Sequence, residues 1–484
     1  MHKQHFDAIV IGAGLGGLLC AAQLLERGQR VAMVERLPHC GGRFTAKTFQ
    51  GTQVSTGAVH MLPFGSSGVL ARTLQRLRIP HRIFDADVFG SFHVHGQQIR
   101  SRGLLGLYKV FGLRQFCWFL RVGYCMFFRR LRAGEHEVPF DIWLARHIDV
   151  ERNAELFAFF ASIARFALSL ELHQITTDEV IRTTKHMLRF SAPGILQGGC
   201  GALIGELERQ LLARGVHLLL HMDVLHILHA DGQATGVRVR DKATGEEMQL
   251  DAPLVVSDIG PRATEALLHN RQVTQAEVLK QQSTCSQGHE QASECQRQPE
   301  AIGLKVHMLS DVSLIPHKGI MYCLDTRRIA GIVQPTNADP HLAPAGKHLL
   351  ISHQVIQSTN IAEEKALALA DLQMLFGDTF ARHCRVLTMS AYRGEWPVNR
   401  LAQGCDVATT TPVQGLYLVG DAVKPAGYLM VEGVAQSVNL LLDRLDPLTG
   451  ESGPAGSTCS GQNAIKPPSR FHALRWLWTA PGNS

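Results

Sequence analysis

The chain has 484 residues, 45% of them hydrophobic and 19% charged, with a formal net charge of +6 at neutral pH. It is long and apolar enough for two or more domains. Its mild basicity comes without a dense Lys/Arg run, which argues against a nucleic-acid binder and suits an anionic membrane surface better. Eleven cysteines are scattered without a CxxC pair. That excludes a disulfide framework, leaves reduced thiols and points to no metal site. No stretch of about 18 or more apolar residues is free of charges, so no spanning helix is expected. A first strand within a few residues of Met1 leaves no room for a signal peptide, and a cytoplasmic location is expected.

The apolar run Ala8 to Ile11 reads as a buried strand. It breaks into Gly12-Ala13-Gly14-Leu15-Gly16-Gly17. In the helix that follows, Leu15, Leu18, Leu19, Ala22 and Leu25 recur at helical spacing. Gly28 ends this helix, Val31 to Val34 form a second buried strand, and Glu35 stands at its end. This order is the setting a dinucleotide fingerprint requires. Gly12 permits the tight turn, Gly14 lets the backbone approach a diphosphate, and Gly17 allows close packing of helix on sheet. Ala13 and Gly16 complete the loop, and the helix N-terminus meets the phosphate charge. Glu35, followed by Arg36, is placed to accept hydrogen bonds from adenosine ribose hydroxyls.

Leu37 to Arg43 reads LPHCGGR. A Rossmann start, an acidic strand end and this GGR loop resemble the flavoprotein superfamily of amine oxidases and carotenoid desaturases. The resemblance implies FAD, with Gly42 and Arg43 beside its diphosphate, where an Arg fork suits phosphate oxygens. Thr52 to Gly65 resembles the flavin-approaching segment of the same superfamily. Ser55 stands where that segment often carries an acidic residue. His60 is a candidate for the active-site lining, since imidazole titrates near neutrality; a satisfied structural histidine is the competing reading.

Gly103 to Arg132 crowds Phe111, Phe116, Trp118, Phe119, Phe127 and Phe128 among Lys109, Arg114, Arg121, Arg129, Arg130 and Arg132. The spacing of Arg114, Arg121 and Arg132 puts them on one helical face, with aromatics on the rest. Such a helix suits a membrane interface; a core-packed helix is the alternative. Asp141 to Leu170 reads as one or two more helices. Leu203, Leu207 and Leu211 mark a helix after the glycine loop at Gly194. Val216 to Leu220 is a strand that Val224 to Leu228 continues, and Gly236 to Val239 forms another. Asp251 to Asp258 leads back to the dinucleotide core.

This block resembles the desaturases, and the resemblance places backbone near Val224 against the adenine. Gln272 to Glu300 is polar and weakly periodic, the pattern of an insertion. Ile302 to Met308 and His348 to Val355 are strand candidates for a second sheet, and Trp396 is a candidate to line the site. The strand Leu416 to Val419 runs into Gly420-Asp421, and a helix starts near Met430 and Val431. In the superfamily this acid bonds the ribityl chain or diphosphate, and the helix N-terminus favours negative charge on the flavin. Tyr428 is a further lining candidate.

The resemblance spans about Phe6 to Leu445. It is to the FAD-dependent family of phytoene desaturases, carotenoid isomerases and retinol saturases. It implies an α/β fold, with a Rossmann-type FAD-binding domain, a second mixed-sheet substrate domain and a helical cap. The FAD-binding domain takes residues 1–70, 191–270 and 411–448, and the helical, membrane-contacting part takes 71–190. The substrate domain takes 271–410, and 449–484 form a tail. The implied reaction is hydride transfer between an apolar polyene or isoprenoid and flavin N5. Neither the catalytic acid or base nor the electron acceptor is assigned. Three alternatives stay open: a redox-neutral isomerase or a saturase using reduced FAD, a flavin amine oxidase, and a non-enzymatic lipid-binding protein.

Overall fold

A computed structural model describes residues 3–100, 103–129, 131–132, 134–269 and 300–445. After a short edge strand at Lys3–His5, the dinucleotide unit is built from β1 (Ala8–Ile11), α1 (Leu15–Glu26) and β2 (Val31–Val34). Then come α2 (Val69–Arg76), β3 (Gly90–Val94), β4 (Gln97–Arg100) and the long α3 (Gly103–Phe127). The next helices are α4 (Ala154–Leu168), α5 (Thr177–Arg189) and α6 (Gly199–Ala213). The strands β5 (His217–Leu219), β6 (Met222–Ala230), β7 (Gln233–Asp241), β8 (Glu247–Asp251) and β9 (Leu254–Ser257) follow. A second run holds β10 (Gly303–Ser310), β11 (Ile320–Cys323), β12 (Ile329–Val333) and β13 (His348–Val355). The chain ends through α7 (Ile361–His383), β14 (Cys384–Tyr392), β15 (Leu416–Leu418) and α8 (Met430–Leu445).

One sheet is all parallel, in the order β5-β2-β1-β9-β15. Every residue of β1 and β2 is buried, because both faces of the sheet are covered. Apolar residues of α1, α6 and α8 pack on one face. The antiparallel ribbon of β6, β7 and β8 packs on the other. A second, mixed sheet runs β14-β10-β13-β12-β11-β3-β4. Its outer face, with Leu304, Val306 and Met308, lies under Ala368 and Leu372 of α7. Strand alternation turns Lys305, His307 and Leu309 to the inner face, where Leu309 joins the core formed with α3, α4 and α5.

The segment from Val216 to Leu228 is two strands rather than one. His221 takes a left-handed conformation (φ 59°) and its N–H donates to the Leu37 carbonyl. The corner sends β5 into the parallel sheet and β6 into the antiparallel one. The helix α3 is broken at Gly112 (φ 66°, ψ 172°). Phe111, Phe116, Trp118 and Phe119 pack into the core rather than on an outer face. The side left open carries Leu113, Leu120, Tyr124 and Phe128, exposed by 67%, 46%, 63% and 77%. Arg114 and Arg121 are also exposed there, whereas Arg132 lies past the end of the helix and shares no helical face with them. Arg130, the insertion through residue 299 and the tail 449–484 lie outside the described residues.

The start of α2 is capped from a distance. Its N-cap, Gly68, has no side chain to offer. The carboxylate of Glu432, in the first turn of α8, instead accepts from the Phe64 and Leu70 N–H groups at 3.3 and 2.9 Å. Burial pushes this acid up to about 7. A carboxyl raised in the folded state stabilises most below the ordinary glutamate range and loses that contribution as pH rises through about 7. Glu432→Ala strands two buried donors and is expected to cost about 2–3 kcal/mol in denaturant unfolding. Glu432→Gln keeps an acceptor, should cost less, and should flatten the stability change between pH 5 and 8.

Candidate functional site

The fingerprint loop lies where strand ends of the parallel sheet meet. The Gly12 N–H donates to the Val34 carbonyl at 2.8 Å, with φ +95°. A Cβ at Gly17 would collide with the Gly12 carbonyl. The first turn of α1 has neither a side-chain cap nor an acidic residue. One of its donors, Gly17 N–H, bonds the Asp258 carboxylate at 3.0 Å; the Gly16 N–H has no acceptor among the described residues. An uncapped helix N-terminus of this kind receives anions.

Asp258, at the end of β9, explains three glycines at once. A Cβ at Gly14 or Gly16 would stand 2.5 or 2.6 Å from its carboxylate oxygens, and one at Gly420 would also collide. Burial pushes its carboxyl up to about 7, with Asp421 adding to the rise and Arg400 opposing it. Its negative charge is therefore weakened beside a diphosphate. Asp258 is visible in the sequence only as the end of a strand; its role depends on β9 lying between β1 and β15.

Glu35 fixes the other side of the loop. Its carboxylate accepts from Ala13 N–H at 2.7 Å and from Leu37 N–H at 2.9 Å. The Glu35 carbonyl takes the N–H of Met222, which sets β6 and its Val224 beside the same strand end. Arg36 stacks on the Trp396 ring at 5.1 Å and pairs with Glu395. Trp396 therefore stands beside Arg36, near the Glu35 end of the site.

The GGR loop is stitched to the fingerprint by Gly41 N–H, which donates to the Ala13 carbonyl at 2.7 Å. A Cβ at Gly42 would lie 3.8 Å from the Gly14 Cα. Arg43 directs its fork at protein rather than leaving it open for phosphate. It pairs with Asp421 at 2.8 Å and donates to the carbonyls of Pro397 and Val398 at 2.8 and 3.0 Å. Asp421 also accepts from the Arg400 N–H at 2.8 Å and from its guanidinium at 3.4 Å. Burial would raise the Asp421 pKa, but Arg43, Arg400 and Lys424 hold it well below the usual carboxylate range. No local sequence signal marks Arg400; its role depends on the return segment reaching Asp421. Gly420 is anchored to α8 through Ser437, and Met430 opens that helix with φ 42°. Val431 sits in its first turn, against the core around α1.

His60 is fully buried with both ring nitrogens engaged. Nδ1 accepts from the Cys200 N–H at 3.1 Å, so Nε2 donates to the Gln53 carbonyl at 2.8 Å. Burial pushes it down to about 4; it is a satisfied structural histidine. Tyr428 belongs to an aromatic cluster with Phe64 and His186. Ser55 joins the FAD-binding part to the mixed sheet. Its hydroxyl donates to the Ala58 carbonyl and accepts from His307 Nε2 at 2.9 Å, leaving His307 Nδ1 to accept from Thr388. Next to it, Thr56 donates to the Gly42 carbonyl. The inner face of β10 is therefore one residue removed from the cofactor loop.

The donor set fits FAD. The open α1 N-terminus would hold the diphosphate, Glu35 the ribose, and Gly42 and Gly420-Asp421 the adjoining segment. Gly16→Ala is expected to cost about 1–3 kcal/mol of FAD affinity through the clash with Asp258, measured by fluorescence titration. In Asp258→Asn the amide oxygen still accepts from Gly17 N–H. The wild type should lose stability and FAD affinity as pH rises through about 7, and Asp258→Asn should remove that loss.

A family model of NAD(P)-binding Rossmann-like domains matches residues 10–77. The crystal structure of an oxidoreductase from Methanosarcina mazei is 32% identical, with a TM-score of 0.77. That match covers 91% of this chain and 100% of the other. An uncharacterized protein of Methanocaldococcus jannaschii is 29% identical over 91% of this chain and 99% of its own length. A neurosporene-forming phytoene desaturase of Rhodobacter capsulatus is 26% identical over 54% of each chain. With the fingerprint, the GGR loop and Gly420-Asp421 brought together, the chain belongs to the FAD-dependent oxidoreductases, in the family of the Methanosarcina mazei oxidoreductase, and the phytoene desaturase is a more distant relative.

Proposed function

We propose that the protein oxidises, or in the reverse sense saturates, a carbon–carbon bond of an apolar isoprenoid-type substrate drawn from a membrane surface. The observation that carries this reading is the layer between α3, α4 and the inner face of the mixed sheet. Phe92, Phe111, Phe159, Phe166 and Tyr322 line it, and on its outer side α3 exposes the stripe Leu113, Leu120, Tyr124 and Phe128. An apolar stripe flanked by Arg114 and Arg121 suits the interface of an anionic bilayer. No helix among the described residues is long and apolar enough to cross one.

Bound FAD supplies the hydride acceptor or donor. The chain's own residues bind, orient and exclude water. The α1 N-terminus neutralises diphosphate charge, Glu35 and Asp421 fix the two ends of the crevice, and the partial positive charge of the α8 N-terminus favours negative charge nearby. The buried aromatic layer keeps water from the reacting carbons, which strengthens each electrostatic contact there. Neutral His307, held by Ser55 and Thr388, offers no strong base. In the oxidation direction the proposed reaction sends one hydrogen of the carbon–carbon bond to bound FAD as hydride and the hydrogen of the neighbouring carbon to solvent as a proton. Saturation reverses both, and His307 does not take the proton.

The test is anaerobic mixing of the flavin-loaded protein with polyenes in liposomes, followed by flavin absorbance. Bleaching on substrate addition supports oxidation, and turnover only after prior reduction supports a saturase or isomerase. A spectrum unchanged by every polyene, before and after reduction, contradicts the reading. Replacing Leu120, Tyr124 and Phe128 by Ser should weaken binding to anionic vesicles by about 10-fold or more per side chain. FAD content should stay unchanged.

A further inference from the structure

The inner face of β10 carries a charge that the proposed reaction does not use. Lys305 is only 4% exposed. Among the described residues no carboxylate or other hydrogen-bond acceptor pairs with it; its amine lies over the Tyr392 ring, 5.0 Å from the centroid. Strand register sets it opposite His353 on β13 and Ser390 on β14, with His307 two residues further along the same face.

The acids of this region are already engaged. Asp421 is held by Arg43 and Arg400. Asp339 accepts from the Gly198 N–H and from His341. The histidines cannot supply negative charge, and burial keeps His307 near 3 and His353 well below the ordinary range. Burial also pushes the Lys305 amine down to about 7. A cation–π contact offsets only part of the cost of an ammonium removed from water. A hydrocarbon bound beside it would leave that cost in place.

The position is linked to the glycine loop at Gly42. His307 reaches Ser55, whose neighbour Thr56 bonds Gly42. Val398, a carbonyl partner of Arg43, donates its own N–H to Ala301, just before β10. We propose that Lys305 is the docking point for a single carboxylate on an otherwise apolar substrate, making that substrate an isoprenoid-type acid rather than a pure hydrocarbon. One unpaired cation among neutral rings matches one negative charge; a diphosphate head group needs more. This rests on the flavoenzyme reading above and narrows its substrate class.

The test uses the full FAD-loaded chain with three probes in detergent micelles: a C20 isoprenoid carboxylic acid, the matching alcohol and the matching hydrocarbon. Binding is read by calorimetry, and the flavin by absorbance. The acid should bind about 10- to 100-fold more tightly than the alcohol, the range of a hydrogen bond to a charged group. Lys305→Met should erase that difference while leaving FAD content and alcohol affinity unchanged, and Lys305→Arg should keep it.

Equal affinity of the wild type for acid and alcohol would overturn the proposal. So would a Lys305→Met protein that alters the flavin spectrum yet keeps the preference, since Lys305 would then serve the cofactor. Because calorimetry does not depend on flavin, failure to hold FAD would count against the flavoenzyme reading alone. The acid–alcohol comparison would still decide the role of Lys305.

Discussion

The pairing of Arg43 with Asp421 is the interaction on which the site depends. Arg43 lies at the end of the first cofactor segment and Asp421 in the last, 378 residues later in the chain. Arg43 also grips the carbonyls of Pro397 and Val398, in the segment that follows the mixed sheet. A single guanidinium thus ties the parallel sheet, the return segment and the mixed sheet together. Breaking a buried pair of this kind strands the other charge, which is why it constrains the fold so strongly. Arg400 supplies a second cation to the same carboxylate, so Asp421 stays ionised in spite of its burial.

Around this knot the two sheets face the site with different chemistry. The parallel sheet presents strand ends, glycines and backbone N–H groups, a surface suited to phosphate and ribose. The mixed sheet presents an aromatic layer into which a few polar groups are set, among them His307 and Lys305. The segment around Ser55 joins the two, through one hydroxyl shared between Ala58 and His307. The Ser55 hydroxyl serves as a neutral bridge.

Much of the cofactor half was legible in the sequence because its signals are local. Glycine spacing, the apolar runs of β1 and β2 and the acid at Glu35 all lie within a single strand–helix–strand unit. The roles of Asp258 and Arg400 were not legible, since they arise from strand order and from contacts across hundreds of residues. The helix α3 was readable as a helix, but its faces were not. The kink at Gly112 and the packing of Phe111 and Phe119 against Phe159 turn most aromatics inward and leave leucines and Tyr124 outside. Lys305 is not legible, because an isolated lysine in a strand normally reads as an exposed residue. Only the packing of the rest of the chain over that face makes it buried.

The most direct test is a double-mutant cycle on FAD affinity, with Arg43→Met, Asp421→Asn and the pair. If the knot assembles the cofactor site, each single change should weaken FAD binding. The double change should then cost clearly less than the sum, with a coupling energy of about 1 kcal/mol or more. Strictly additive losses, or wild-type affinity in either single variant, would contradict the claim that this ion pair holds the cofactor segments together.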